Sequence, residues 1–240
     1  MTAGEAGWLR PLAIGLVGAL AMFGIGFRRA PAPPPPAPSA PSATLRVPHA
    51  RGPMTVDGET DEPDWTRAPA RTGAFLAADG SAARPASEAR LLWDDAFLYL
   101  SLYAADEDIR AAKVAPDGPV WSGDSFSVEL GGADGVKYTL TVGPSGIVTD
   151  AALRPGQPAD YRWQSGAKVA IDLDGTLDDA RDRDEEWVVE LAIPWQALGI
   201  VPRPGTRVVL GLRRCDAPAG RRSCGAWGQG DANGVLALSP

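Results

Sequence analysis

The stretch Val120-Trp121-Ser122-Gly123-Asp124-Ser125-Phe126-Ser127-Val128-Glu129-Leu130 decides how this chain folds. A tryptophan on a Ser-Gly-Asp turn leads straight into an alternation of period two. Phe126, Val128 and Leu130 fall on one face of the strand, and Ser125, Ser127 and Glu129 fall on the other. The apolar face requires a core. The polar face, edged by an indole, suits a ligand with both C–H and hydroxyl surfaces, as a sugar has. The same pattern also fits a Trp121 that merely caps the core beside a wetted sheet.

Further strands are expected on both sides of this stretch. Residues 88–94 and 97–105 read as a hairpin through Asp94-Asp95-Ala96, with Leu98, Leu100 and Leu102 opposite Tyr99 and Tyr103. Met54-Thr55-Val56-Asp57-Gly58 reads as a strand ending in an Asp-Gly turn, followed by a helical turn that drops Trp65 onto the core. Residues 136–142, 147–150, 168–173, 187–193, 206–215 and 226–238 are predicted strands. Residues 154–165 form a loop carrying Tyr161 and Trp163, and residues 194–199 a helical turn ended by Gly199. About ten short strands with almost no helix predict an all-β fold, an antiparallel β-sandwich.

The first 43 residues differ in composition. Residues 12–27 are apolar, Arg28-Arg29 follows, and residues 30–43 are a Pro/Ala/Ser tract. The expected organisation is a signal peptide or uncleaved signal anchor over residues 1–29, a stiff linker over 30–43 and one domain over 44–240. Arg28 and Arg29 after the span, against Arg10 before it, would on charge alone keep the domain in the cytoplasm. That rule weakens for long folding domains, so the expectation is export. The domain would then be tethered to the bacterial membrane and would face the periplasm or cell exterior.

Charge and residue supply exclude several chemistries. The formal net charge is −7, and more negative once Arg10, Arg28 and Arg29 are set aside, which argues against nucleic acid as partner. One histidine and two cysteines leave almost no material for a His-based triad, a zinc cluster or a Cys–His dyad. Cys215 and Cys224 flank a turn between two predicted strands, and a disulfide is expected between them in an exported chain. No cofactor is required. Asp172, Asp174, Asp178 and Asp179 have oxygens for calcium, but they do not follow the EF-hand spacing and are expected to be a solvated acidic loop.

Five motifs in order carry a family resemblance: Asp57-Gly58-x-x-Asp61-Glu62-x-x-Trp65, Leu92-Trp93-Asp94-Asp95-x-x-Leu98-Tyr99, Asp106-x-Asp108-Ile109, Trp121-x-x-Asp124-Ser125, and Glu190-x-Ala192-Ile193-Pro194-Trp195. Together they resemble carbohydrate-binding module family 9, a β-sandwich group related to the DOMON domains. The resemblance implies non-catalytic binding of an oligo- or polysaccharide, with a sugar clamped between two tryptophan rings, Trp121 and Trp227. It places a ligand-binding acid at Ser127, or at Glu129 through a bulge. It also implies a cation on the next strand, where Thr139 and Thr141 stand. Gln229, Asp231 and Asn233 beside Trp227 are candidate hydroxyl partners. Trp163 is a further candidate contact, whereas Trp65, Trp93, Trp187 and Trp195 are expected in the core. A haem-binding electron-transfer domain is the alternative, with Met54, His49, Lys113, Lys137 and Lys168 as the available axial ligands. A glycoside hydrolase with paired carboxylates is a third reading.

Overall fold

In the computed structural model, residues 44–217, 221–227 and 234–240 are described. The chain passes through β1 (Thr44–Val47), a short helix α1 (Pro63–Arg67), β2 (Ala70–Arg71), β3 (Ser87–Trp93), β4 (Phe97–Ala105), β5 (Ser125–Gly131) and β6 (Lys137–Val142). It continues through β7 (Val148–Leu153), β8 (Lys168–Asp174), β9 (Glu186–Pro194), β10 (Arg207–Asp216), β11 (Ser223–Trp227) and β12 (Gly234–Leu238). Seven strands make one sheet in the order β1-β12-β10-β5-β6-β7, with β11 also paired to β10. Five make the other, β2-β3-β4-β9-β8. The expected β-sandwich is therefore the observed one.

The alternation of β5 sets the core. Phe126, Val128 and Leu130 have no exposed surface, and neither do Leu98, Leu100 and Leu102 of β4 or Trp187, Val189 and Leu191 of β9. These side chains meet between the sheets, where Phe126 lies 5.2 Å from Trp187 and 6.3 Å from Phe75 between ring centroids. Burying so many aliphatic and aromatic side chains is the main driving force of the fold. The β3–β4 hairpin is held at its turn by Asp94. One carboxylate oxygen of Asp94 accepts the N–H groups of Ala96 and Phe97, and the other accepts the Tyr99 hydroxyl. Its carbonyl accepts the Trp195 indole at 2.9 Å.

A second, smaller core lies outside the five-stranded sheet, where Trp65, Leu92, Tyr99 and Ala192 pack with Met54 and Phe97. Its polar centre is Glu190, which faces away from the main core and is fully buried. One oxygen accepts the N–H groups of Asp57 and Gly58, each at 3.1 Å, and the other accepts the Trp65 indole N–H at 3.1 Å. Gly58 is required there. Its φ is +100°, and a Cβ would meet the Ile171 backbone at 3.1 Å.

Four expectations need correction. Residues 54–58 form no strand. The N–H of Thr55 goes to Glu62, and those of Asp57 and Gly58 go to Glu190, rather than to a ladder. Thr44–Val47 is a strand that local pattern did not reveal, and it pairs in parallel with β12, so the sandwich is not wholly antiparallel. The single strand expected over 226–238 is two. β11 pairs with Leu212–Asp216 and β12 with Arg207–Leu210, both antiparallel to β10. Trp163 is part of the packing, with its ring 4.5 Å from that of Tyr138 and against the main core. Trp65, Trp93, Trp187 and Trp195 are buried as expected.

Replacing Glu190 with Ala strands three donors at once, the buried Gly58 N–H and Trp65 indole and the part-buried Asp57 N–H. A loss of about 3 kcal/mol or more is expected in urea denaturation. Trp65→Phe, which removes only the indole N–H and part of the ring, should cost distinctly less. An exposed-type response to Glu190→Ala, within about 0.5 kcal/mol of the parent, would contradict this account of the satellite core.

Candidate functional site

The loop before β5 delivers Trp121 to the outer face of the seven-stranded sheet. Val120 is buried as an anchor, and the Thr149 hydroxyl of β7 donates to the Gly118 carbonyl. Gly123 then lies against residues 110–112, so closely that a Cβ would sit 2.5 Å from the Ala112 nitrogen. The turn is clamped by Asp124, which is fully buried. One of its oxygens accepts the Arg110 N–H at 2.6 Å, and the other accepts the Ala217 N–H at 2.7 Å. Arg222, just before β11, donates to the Trp121 carbonyl. With its main chain pinned from four directions, the Trp121 side chain is left 42% exposed.

A second ring reaches the same place from the 154–165 loop. Asp160 forms an isolated bridge with Ala152, and its carboxylate takes the Arg162 N–H and a contact from Arg154. Tyr161 is thereby set beside the outer face of β7 and is 48% exposed. Trp121 and Tyr161 are the aromatic walls of a groove of about 300 Å3, floored by Thr139, Thr141, Thr149, Ala151 and Leu153. Two rings and three hydroxyl-bearing side chains can stack on C–H faces and hydrogen-bond to hydroxyls. No carboxylate lines the groove among the described residues. A larger hollow of about 780 Å3, bordered by Arg84, Glu107, Arg183 and Glu185, offers no ring to a ligand.

The predicted site residues divide into several groups. Ser127 faces outward beside the groove, and its hydroxyl lies 3.0 Å from that of Thr141. Glu129 faces outward one step further along β5 and pairs with Lys137 at 3.0 Å. Trp227 is opposite Leu212 in the β10–β11 ladder. It packs against the main core and does not line the groove. Gln229, Asp231 and Asn233 lie outside the described residues, as do residues 1–43. The Cys215–Cys224 disulfide is present, across directly paired positions of β10 and β11.

Tyr161, Thr149 and the arginines Arg213 and Arg222 were not singled out by sequence. Arg213 was recoverable from alternation. Buried Leu212 and Arg214 flank it, so it faces outward, opposite Ser127. The cation that the resemblance places beyond β5 on the Thr139 side thus has a counterpart on the other neighbouring strand.

Four of the five suggested haem ligands are engaged elsewhere. The His49 ring packs edge-on at 4.6 Å against Trp93, and Met54 lies in the satellite core. Lys168 sits over Phe97 and Lys137 pairs with Glu129. Two of the acids considered for calcium also have partners, since Asp178 accepts the Ala111 N–H and Asp179 pairs with Arg181. A tighter acidic group lies behind the Trp121 turn. Asp106, Asp124 and Asp216 have oxygens within 4.8 Å of one another, all buried. Arg214 is the cation that answers them, at 2.6 Å from Asp106 and 2.9 Å from Asp216. Trp187 adds an indole N–H to Asp106 at 3.2 Å.

A family model described as carbohydrate family 9 binding domain-like matches residues 56–234. No curated protein matches the sequence closely. A candidate carbohydrate-binding protein from Bacteroides uniformis has a similar structure, with a TM-score of 0.68 at 13% identity over 82% of this chain and 100% of that one. A carbohydrate-binding module of family 9 from Caldicellulosiruptor kristjanssonii, in complex with cellotriose, superposes with a TM-score of 0.57 at 17% identity, over 82% of this chain and 93% of that one. Its complex with glucose gives 0.57 at 17% identity, over 81% and 95%.

Three buried carboxylates around one guanidinium make stability depend on pH. Burial, and then the Asp106 charge, push Asp124 up to about 7, against the hydrogen bonds that lower it. Burial also raises Asp216, although Arg214 opposes this. A raised carboxyl pKa means that the folded state holds the proton more tightly than the unfolded chain. The penalty is therefore absent below pH 4, grows up to about pH 7 and is constant above. The slope is at most about 1.4 kcal/mol per pH unit for each proton. Denaturation midpoints of the parent should fall between pH 5 and pH 7 more steeply than those of Asp124→Asn. Parallel pH profiles would refute the assignment.

Proposed function

The chain belongs to the carbohydrate family 9 binding domain-like family, and from that membership we propose that it is a non-catalytic glycan-binding module whose site is the Trp121 groove. The observation that carries this reading is the pairing of two exposed rings, Trp121 and Tyr161, above a threonine-rich floor. A pyranose lies with its C–H face on the Trp121 indole, and its hydroxyls reach Thr139, Thr141 and Ser127. Tyr161 serves as the second aromatic wall, in the role the resemblance gives to Trp227. Trp227 supports β10 from the core side. An open site of this kind binds at micromolar to millimolar concentrations, about −8 to −4 kcal/mol.

Two further features belong to the same proposal. Among the described residues no carboxylate lines the groove, which leaves hydrolysis without an acid and base from that lining and favours binding alone. The Cys215–Cys224 bridge favours an oxidising compartment. It supports an exported module held at the membrane by residues 1–29 and spaced from it by residues 30–43, with its face open to envelope or extracellular glycans.

Trp121→Ala removes a ring that contributes contact rather than core. Affinity for soluble oligosaccharides should drop by about tenfold or more, near 1.4 kcal/mol, with the unfolding midpoint preserved. Tyr161→Ala should weaken binding by a smaller factor. Calorimetry on the full-length chain checks both, and unchanged affinity in a folded Trp121→Ala protein would remove the groove from consideration.

A further inference from the structure

The restraints on the Trp121 turn converge on one side chain. Asp124 is fully buried, and its two oxygens accept one main-chain N–H each, from Arg110 at 2.6 Å and from Ala217 at 2.7 Å. The Asp124 N–H also donates to the Arg110 carbonyl at 2.9 Å. The Arg110 side of the turn is thus held twice, whereas Ala217, at the end of β10, is held by one carboxylate oxygen. An ionised carboxylate can serve two N–H donors. A carboxylic acid keeps one good acceptor and turns its other oxygen into a donor. Protonated Asp124 would therefore set an O–H against one of these N–H groups. Acceptors for that proton stand behind it, since oxygens of Asp106, Asp124 and Asp216 lie within 4.8 Å of one another.

The charged groups around Asp124 come from three elements. Asp106 follows β4, while β10 supplies Asp216 and Arg214, whose guanidinium lies 2.6 Å from Asp106 and 2.9 Å from Asp216. On the 108–112 loop, the Arg110 side chain is turned to Asp108 at 2.6 Å. Asp184 and Asp178 accept the Ile109 and Ala111 N–H groups on either side of Arg110. Burial, and then the Asp106 charge, bring the titration of Asp124 to about 7. The groove lining has no carboxylate or histidine among the described residues. Glu129, outward on β5, is paired with Lys137, and His49 lies against Trp93.

We infer that sugar binding at Trp121 is gated by protonation of Asp124: as a carboxylate it holds Arg110 and Ala217 to the turn and keeps the ring in place, and as an acid it lets Ala217 go. This rests on the sugar-binding reading above and adds its regulation. Arg222, a short way beyond Ala217, donates to the Trp121 carbonyl, so a loosened end of β10 reaches the ring by a second route. Binding requires the ionised form and releases a proton, so affinity rises with pH through about 7. Stability runs the other way, because a raised carboxyl pKa makes the folded domain firmer in acid. Weaker binding in acid is therefore distinct from unfolding.

Calorimetry on the full-length chain with cellotriose, xylotriose and mannotriose, neutral probes that do not titrate themselves, tests this between pH 5.5 and pH 8. Affinity for whichever trisaccharide binds should fall by about fivefold or more from pH 8 to pH 5.5. Asp124→Asn, whose amide sets an N–H where the acid has its O–H, should bind weakly and show no such slope. Without sugar, the nitrogen-15 signal of the Trp121 indole, assigned with Trp121→Phe, should titrate over the same range in the parent and stay still in Asp124→Asn. Should Asp124→Asn fail to fold, the parent's affinity slope and indole titration decide together. Affinity that is flat with pH would overturn the gate and leave the sugar-binding reading standing. A slope that survives in folded Asp124→Asn, or a parent indole signal that does not titrate, would also overturn the gate. Binding of none of the trisaccharides at any pH overturns both.

Discussion

Asp124 is the constraint on which the candidate site depends. Its carboxylate is out of water and accepts main-chain N–H groups from two segments distant in sequence, at Arg110 and Ala217. Those bonds fix the 108–112 loop and the end of β10 to the turn that leads into β5. Trp121 comes three residues earlier, so the clamp aims the indole, and Val120 below it is the apolar anchor. Stacking on a ring requires that its orientation be settled before the ligand arrives, because ordering it afterwards would cost binding energy. The Cys215–Cys224 bridge joins β10 to β11 at the same end of the sheet, which further fixes the frame around the turn.

The cluster behind that turn has an energetic cost. Asp106, Asp124 and Asp216 share one guanidinium, so full ionisation would leave excess negative charge in the interior. Buried ionic groups of this sort rarely add net stability, because desolvation offsets their attraction. Their directional bonds define a single arrangement of three loops, which an apolar cluster of equal volume would not. Glu190 does the same for the other sheet, where one carboxylate gathers Asp57, Gly58 and Trp65. In both places the fold accepts a desolvated carboxylate and obtains a defined backbone in return.

Much of this was legible in sequence because it is local. The alternation of residues 125–130 gave the face of each β5 side chain, and Asp94-Asp95-Ala96 gave the hairpin turn. The family motifs resolve into contacts: Asp57-Gly58 and Trp65 meet Glu190, Asp94 meets Trp195, and Asp106 meets Trp187. What sequence did not reveal depends on chain closure. β1 finds its parallel partner β12 nearly two hundred residues away, and no period-two pattern in four residues announces that. Tyr161 reaches the groove only because Asp160 bridges to Ala152. The outward set of β10, including Arg213, was available from alternation, but its place next to Ser127 came only with the strand order.

The central claim is that ligand lies on the outer face of the seven-stranded sheet, between Trp121 and Tyr161. Amide and indole chemical-shift mapping of the nitrogen-15-labelled full-length chain, titrated with a soluble oligosaccharide that it binds, tests this most directly. The largest shifts are expected at the Trp121 indole and at Thr139, Thr141, Thr149 and Tyr161. Shifts confined to the opposite sheet, around Trp65 and Tyr99, would contradict it.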